Sequence, residues 1–229
     1  MDFTQWLRQL DFSRYREALL LLAAALPCLI VHECAHGFAA QLCGDPTAKA
    51  AGRLSLNPLR HIDWLGLAAM VFCRFGWAKP VPVDMRKLRH PKRDMALVAL
   101  AGPVSNFLLA FPVFVIYGIL CYVYAEYSST AVAYGAIYCY DLAVLSLGLG
   151  VFNLFPIPPL DGSKVLFSLL PERIYRWILR YERYGSILLL LLLWFDVLSA
   201  PLFAIRNALL GIWETAAMTC AEQVAHLIL

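Results

Sequence analysis

The residues with the clearest chemical content are His32-Glu33-Cys34-Ala35-His36. On a helix of 3.6 residues per turn, positions i and i+4 stack on one face, so both imidazoles can hold one metal ion. Glu33 lies about 100° round from His32 and can reach a molecule bound to that ion. With 5 His in 229 residues, the pattern has a chance expectation of roughly 0.003, so coincidence is a poor explanation. Zn²⁺ suits such donors: it is four-coordinate, and in catalytic sites it takes three protein ligands and leaves the fourth position to water. One Zn²⁺ per chain is expected, with His32 and His36 as ligands, Glu33 as general base and a third ligand from elsewhere.

These residues must be carried by membrane helices. Of the 229 residues, 61% are hydrophobic and 15% charged, against roughly 45–50% and 25% in a soluble domain. The apolar residues fall in long runs, so a soluble fold is excluded and the lipid bilayer is the expected solvent. The motif sits in residues 18–44, a run whose ionisable side chains, cysteines aside, are His32, Glu33 and His36. Ionisable groups inside a span are costly and mark a functional site. Residues 95–125 and 132–155 predict a second and third spanning helix, and residues 184–205, interrupted by Asp196, a last strong run. Residues 1–16 suit an interfacial segment, residues 62–75 a re-entrant one, and residues 207–229 are a variable C-terminal segment that could cross, lie flat or pack on the bundle. The whole chain, 1–229, reads as a single membrane-embedded domain with its core at 18–206, and no cleavable signal is expected at its start.

Charge sets the expected orientation. Fifteen of the 19 Lys and Arg lie in residues 43–61, 74, 76–94 and 162–183, and none in the connection at 126–130. The basic loops are therefore expected in the cytoplasm and the first helix runs inward; Arg8, Arg14 and Arg16 fit this only if their segment lies in the interface. A net charge of +3 gives no reason to expect nucleic acid. Seven scattered cysteines without a C-x-x-C pair read as small buried apolar residues.

Asp161 is the best candidate for the third ligand, in Asn153-Leu154-Phe155-Pro156-Ile157-Pro158-Pro159-Leu160-Asp161-Gly162. The segment follows the third helix at the end to which the first helix brings His32 and His36. Its prolines disfavour regular helix, and irregular backbone at membrane depth is tolerated where it lines a site. Alone, the segment reads as a turn; with the upstream motif it reads as a ligand loop. Ser55, His61 and His90 are candidate lining residues of a polar path for water, and Gly102-Pro103-x-x-Asn106 is read chiefly as close packing against the motif helix, with a place facing the site as the alternative.

His32-Glu33-Cys34-Ala35-His36 with Asn153-x-x-Pro156-x-x-x-Leu160-Asp161-Gly162 resembles the site-2 protease family of intramembrane zinc metalloproteases, in its compact bacterial and archaeal form. Gly44-Asp45-Pro46-Thr47-Ala48, Ala51-Gly52-Arg53-Leu54-Ser55-Leu56-Asn57-Pro58, Gly76-Trp77-Ala78-Lys79-Pro80-Val81-Pro82-Val83 and Ala101-Gly102-Pro103-Val104-Ser105-Asn106 look like further family blocks in order. One departure is Trp64, where relatives often carry proline. The resemblance implies an α-helical polytopic membrane protein with a site-2 protease-like core and a short membrane-embedded β or re-entrant region. It implies His32, His36 and Asp161 as zinc ligands, Glu33 as general base, and Asn153 as a residue that holds substrate or stabilises the reacting carbonyl. The implied activity is a zinc metalloendopeptidase of regulated intramembrane proteolysis. Its partners would be single-span membrane protein substrates, and its place a prokaryotic inner membrane, with the active site toward the cytoplasm. The competing readings are a membrane zinc transporter, which needs acceptors continuing across the bilayer, and an inactive adaptor, which would have lost Glu33 or a ligand.

Overall fold

The computed structural model describes the backbone of residues 12–66 and 79–228 and the side chains of residues 19–66, 79–175 and 184–224. Among the described residues the longer helices are α1 Phe12–Leu42, α2 Pro91–Tyr127, α3 Thr130–Asn153, α4 Asp161–Ser168, α5 Glu172–Trp194 and α6 Ser199–Ile228. Three are long and apolar enough to cross a membrane, α1 from Leu19, α2 and α3. Tyr184–Trp194 and Ser199–Val224 make a fourth hydrophobic unit bent by 83°. The fold is that of a helical, multi-pass membrane protein. Of the interfacial segment expected at residues 1–16, only the backbone of 12–16 is described, as the first turn of α1. Most of the re-entrant stretch, and Gly76-Trp77-Ala78, lie outside the described residues.

Local chemistry sets the helix ends. Pro91 opens α2 where a missing N–H costs nothing, and the Asp94 carboxylate reaches back to the His90 N–H at 2.8 Å. Two residues, Ser128 and Ser129, join α2 to α3, with Ser128 left-handed at φ 48°. Bonds between helices fix their directions. Tyr138 donates to Ala23 O at 3.2 Å and Cys28 Sγ to Leu142 O at 3.5 Å, so α1 and α3 run the same way. Trp213 Nε1 donates to Phe107 O at 3.4 Å, and Ala221 abuts Gly118, so α6 runs parallel to α2. Buried Phe114 sits between these helices with Ala110, Ala143, Leu147 and Ala217; small residues let the backbones approach, which is how helices associate when lipid supplies no hydrophobic drive.

The last apolar run is interrupted at Asp196, as its sequence indicates, and the interruption is a sharp bend of 83° between two helices. The chain breaks after Trp194, and Asp196 takes φ 59°, a left-handed conformation that a short polar side chain tolerates. The Ser199 hydroxyl bonds the Asp196 carboxylate across the break. Helix α6 then runs without interruption to Ile228, so residues 207–228 pack on the bundle as its continuation.

Among the described residues no strand forms in the expected β region. Side chains take the backbone groups that a ladder would need: Arg53 Nη2 donates to Lys79 O at 2.5 Å and Pro80 O at 3.2 Å, and Val81 N–H donates to Glu33 Oε2 at 2.8 Å. Pro80 and Pro82 have no N–H to offer.

Candidate metal centre

The α1 spacing places both imidazoles toward α2, and the close approach requires glycine at 102. A Cβ there would stand 2.4 Å from His36 Nε2 and 2.6 Å from His32 Cε1. Asp161 arrives from the far side. Prolines 156, 158 and 159 cannot continue the α3 ladder, and the loop closes through Ile157 N–H to Phe155 O and Leu160 N–H to Ile157 O, both 2.9 Å. Gly162 then lies so close to the Leu154 carbonyl that a Cβ would meet its oxygen at 2.1 Å. Asp161 begins α4 with its side chain turned to the histidines.

Three ligand atoms meet there. His32 Nε2 and His36 Nε2 lie 3.1 and 3.0 Å from Asp161 Oδ2 and 3.0 Å from one another. In tetrahedral coordination with bonds of about 2.0–2.1 Å, neighbouring ligand atoms stand about 3.3 Å apart, so the triangle is close to the size one divalent ion needs. The outer nitrogens fit as well. His36 Nδ1–H donates to Val98 O at 2.7 Å, leaving the Nε2 lone pair to the site. His32 Nδ1 lies 3.1 Å from the carboxamide nitrogen of fully buried Asn106, whose Oδ1 has no partner among the described residues. A half-turn of that carboxamide brings Oδ1 to Nδ1–H and gives His32 the same tautomer as His36.

Burial opposes ionisation of the Asp161 carboxyl, and the nearby Lys164 ammonium favours it. Lys164 Nζ is 3.6 Å from the second oxygen, Oδ1. An anionic oxygen with two imidazole nitrogens, all buried, is a donor set that a dication satisfies and that water alone does not.

A cavity of about 480 Å³ opens onto the cluster, and Glu33, Asn153, Lys164, Val81 and Leu189 share its wall with the three ligand-type residues. The structure therefore brings together His32, Glu33, His36, Asn153 and Asp161. Asn153 Nδ2 donates to Leu149 O at 3.0 Å within its own helix. The candidate water-path residues do not line this cavity. Cys34 is turned about 200° from His32, and its Sγ faces Ser55 O at 3.5 Å and His61 Nε2 at 3.9 Å, so Ser55 and His61 belong to the other side of α1. His90 is exposed at the start of α2. Asn106, read from the sequence chiefly as a packing residue with a place facing the site as the alternative, faces the site as the partner of His32. The available signal was an amide four residues after Gly102, hence on the same face of an otherwise apolar helix.

The comparisons place the chain among metalloproteases. The chain matches peptidase family M50 over residues 122–195, the stretch that carries Asn153 and Asp161. It is 38% identical over 179 residues to a Bacillus subtilis (strain 168) protein named "Putative zinc metalloprotease YwhC", covering 78% of this chain and 81% of that one. Two mycobacterial proteins carry the name "Putative zinc metalloprotease Rip2". The Mycolicibacterium smegmatis one is 30% identical over 76% of this chain and 66% of its own length, the Mycobacterium tuberculosis (strain H37Rv) one 29% over 82% and 71%. No solved structure gives a significant match. An arrangement of two helical histidines and a loop aspartate, on a chain that aligns with these relatives over most of its length, identifies the protein as a member of peptidase family M50, the site-2 protease family of metalloproteases.

Proposed function

We propose that this protein is an intramembrane zinc metalloprotease that hydrolyses peptide bonds within or near the transmembrane segments of single-span membrane proteins. His32, His36 and Asp161 hold one Zn²⁺, which when bound supplies an acidified water and polarises the scissile carbonyl. Glu33 takes the proton from the attacking water and delivers it to the leaving amine nitrogen as the C–N bond breaks. Asn153 holds the substrate backbone or the developing oxyanion, for which it must turn from Leu149 O toward the cavity. A helical substrate hides its carbonyls in i to i+4 bonds, so it unwinds before attack, and Gly, Pro or Asn near the cut assist.

The observation that carries this reading is the 3.0–3.1 Å triangle of His32, His36 and Asp161 sharing a cavity with Glu33. The concentration of Lys and Arg in the loops at the His36 end of α1 supports an active site toward the cytoplasm of a prokaryotic inner membrane. The test is cleavage of single-span substrates carrying central Gly, Pro or Asn by purified wild type and Glu33→Gln, with products identified by mass spectrometry. Cuts inside the span that vanish with Glu33→Gln and with a zinc chelator are expected; cuts that persist in Glu33→Gln refute the mechanism.

A further inference from the structure

The Glu33 carboxylate is held by a single backbone group. Val81 N–H donates to Glu33 Oε2 at 2.8 Å, and Val81 stands between Pro80 and Pro82, so it is the one N–H between Lys79 and Val83. This tripeptide cannot pair as a regular strand, and its sole donor is directed at the carboxylate.

What fixes that donor is Arg53. Its Nη2 bonds the two carbonyls immediately before Val81, Lys79 O at 2.5 Å and Pro80 O at 3.2 Å, while Lys79 N–H is tied to His61 O at 2.9 Å. Arg53 is itself buried, and among the described residues its Nε has no partner. A side chain buried at that cost is there to hold the backbone it touches. The preceding sequence aims it: Gly52 takes φ +65°, Arg53 N–H returns to Ala48 O at 2.9 Å, and Arg60 Nη1 bonds Gly52 O at 2.5 Å. Gly37 completes the fit, since a Cβ there would meet Leu54 Cδ2 at 2.6 Å and Val81 Cγ1 at 2.9 Å.

We propose that Arg53 is a positioning residue for Glu33, acting through the Pro80-Val81-Pro82 backbone: it clamps two carbonyls so that Val81 N–H fixes which carboxylate oxygen faces the metal cavity. The kinetic half of this proposal rests on the reading of Glu33 as the general base. The geometric half does not. Oε2 bonded to Val81 leaves Oε1 as the proton-accepting atom, and the same segment, which walls the cavity, ties the base to the surface against which an extended substrate lies.

The prolines make the test site-specific. In a peptide of residues 79–82 the Val81 amide is the one label that survives digestion, so hydrogen–deuterium exchange with mass spectrometry reads this bond alone. Wild type, Arg53→Met, Arg53→Lys and Glu33→Ala are compared, with helix content and zinc content checked in each. Val81 exchange is expected to be slow in wild type and at least tenfold faster in Arg53→Met and Glu33→Ala, with partial recovery in Arg53→Lys and one zinc retained per chain. In substrate cleavage, Arg53→Met lowers kcat at least tenfold with KM within twofold, and Arg53→Lys recovers part of it. Fast exchange in wild type, or exchange indifferent to Arg53→Met, overturns the clamp. Faster exchange with unchanged kcat overturns the positioning role. Absence of cleavage by wild type counts against the general-base reading, and the clamp is then decided by exchange alone. Should Arg53→Met fail to fold, Arg53→Lys decides, because a purely structural arginine gives no graded change at Val81.

Discussion

Replacing Gly102 by alanine should separate the metal centre from the fold that carries it. The new Cβ would lie 2.4 Å from His36 Nε2, 2.5 Å from His36 Cε1 and 2.6 Å from His32 Cε1, against an optimal separation of about 3.5–4.0 Å. Both rings must yield by about 1 Å, several times the ~0.2 Å that metal geometry tolerates. They cannot tip away freely, because Val98 O and Asn106 hold their outer nitrogens. Loss of such outer partners alone costs about 10–100-fold in metal affinity, so displacing two ligands together should cost at least about 100-fold. The helix itself gains, since alanine in a helix interior is favoured over glycine by about 0.5–1 kcal/mol. Zinc affinity measured against a chromophoric chelator should therefore collapse while circular dichroism and the melting temperature in detergent hold. Gly118→Ala on the same helix is the control: its Cβ would meet Ala221 Cβ at 2.5 Å, so it should loosen α6 and lower the melting temperature with zinc affinity intact. Zinc binding by Gly102→Ala within about threefold of wild type would refute the packing argument.

Two further predictions concern the frame. Asp45 is fully buried, where burial opposes ionisation, but bonds from the Thr47 hydroxyl, Asp84 N–H and Thr47 N–H, with the Lys87 charge nearby, hold its carboxyl below the usual range. A depressed carboxylate stabilises the fold above its unfolded pKa of about 3.9 and loses that contribution as pH falls through the folded value; the melting-temperature gap between wild type and Asp45→Asn should be constant from about pH 8 to 5 and close below about pH 4, and a gap that widens on acidification contradicts this. Phe114→Ala, fully buried among α2, α3 and α6, should cost about 3–5 kcal/mol in reversible detergent unfolding, whereas Leu108→Ala, on a 70% exposed face, should cost under about 1 kcal/mol; equal costs would mean that the helices are packed otherwise.

Much of the site is legible in the sequence because its chemistry is expensive in a membrane. Three ionisable groups in one apolar run announce the motif helix, and the proline-rich loop before Asp161 lies where the parallel course of α1 and α3 delivers it. What escapes is set by orientation and by distant pairing. Asn106 reads as a packing residue or as one facing the site, and His32 is singled out as its partner only once α2 is rotated so that Gly102 faces the imidazoles. The bond from Val81 N–H to Glu33 joins residues 48 apart, and the Pro-Val-Pro segment by itself says only that the chain is extended. Ser55 and His61 are polar and near the motif in sequence, yet the 3.6-residue period puts them behind Cys34. The interruption at Asp196 is legible because an acid stands in an apolar run, but the course of α6 beyond it is not, because a weakly apolar helix can cross, lie flat or pack on the bundle.

X-ray absorption at the zinc edge of the purified, zinc-loaded protein tests whether His32, His36 and Asp161 are the protein ligands of one catalytic zinc. The expected first shell is nitrogen and oxygen at about 2.0–2.2 Å, with the outer-ring scattering of two imidazoles, falling to one imidazole in His36→Ala. A sulfur shell at about 2.3 Å, drawn from any of the seven cysteines, or an imidazole count indifferent to His36→Ala, would contradict it.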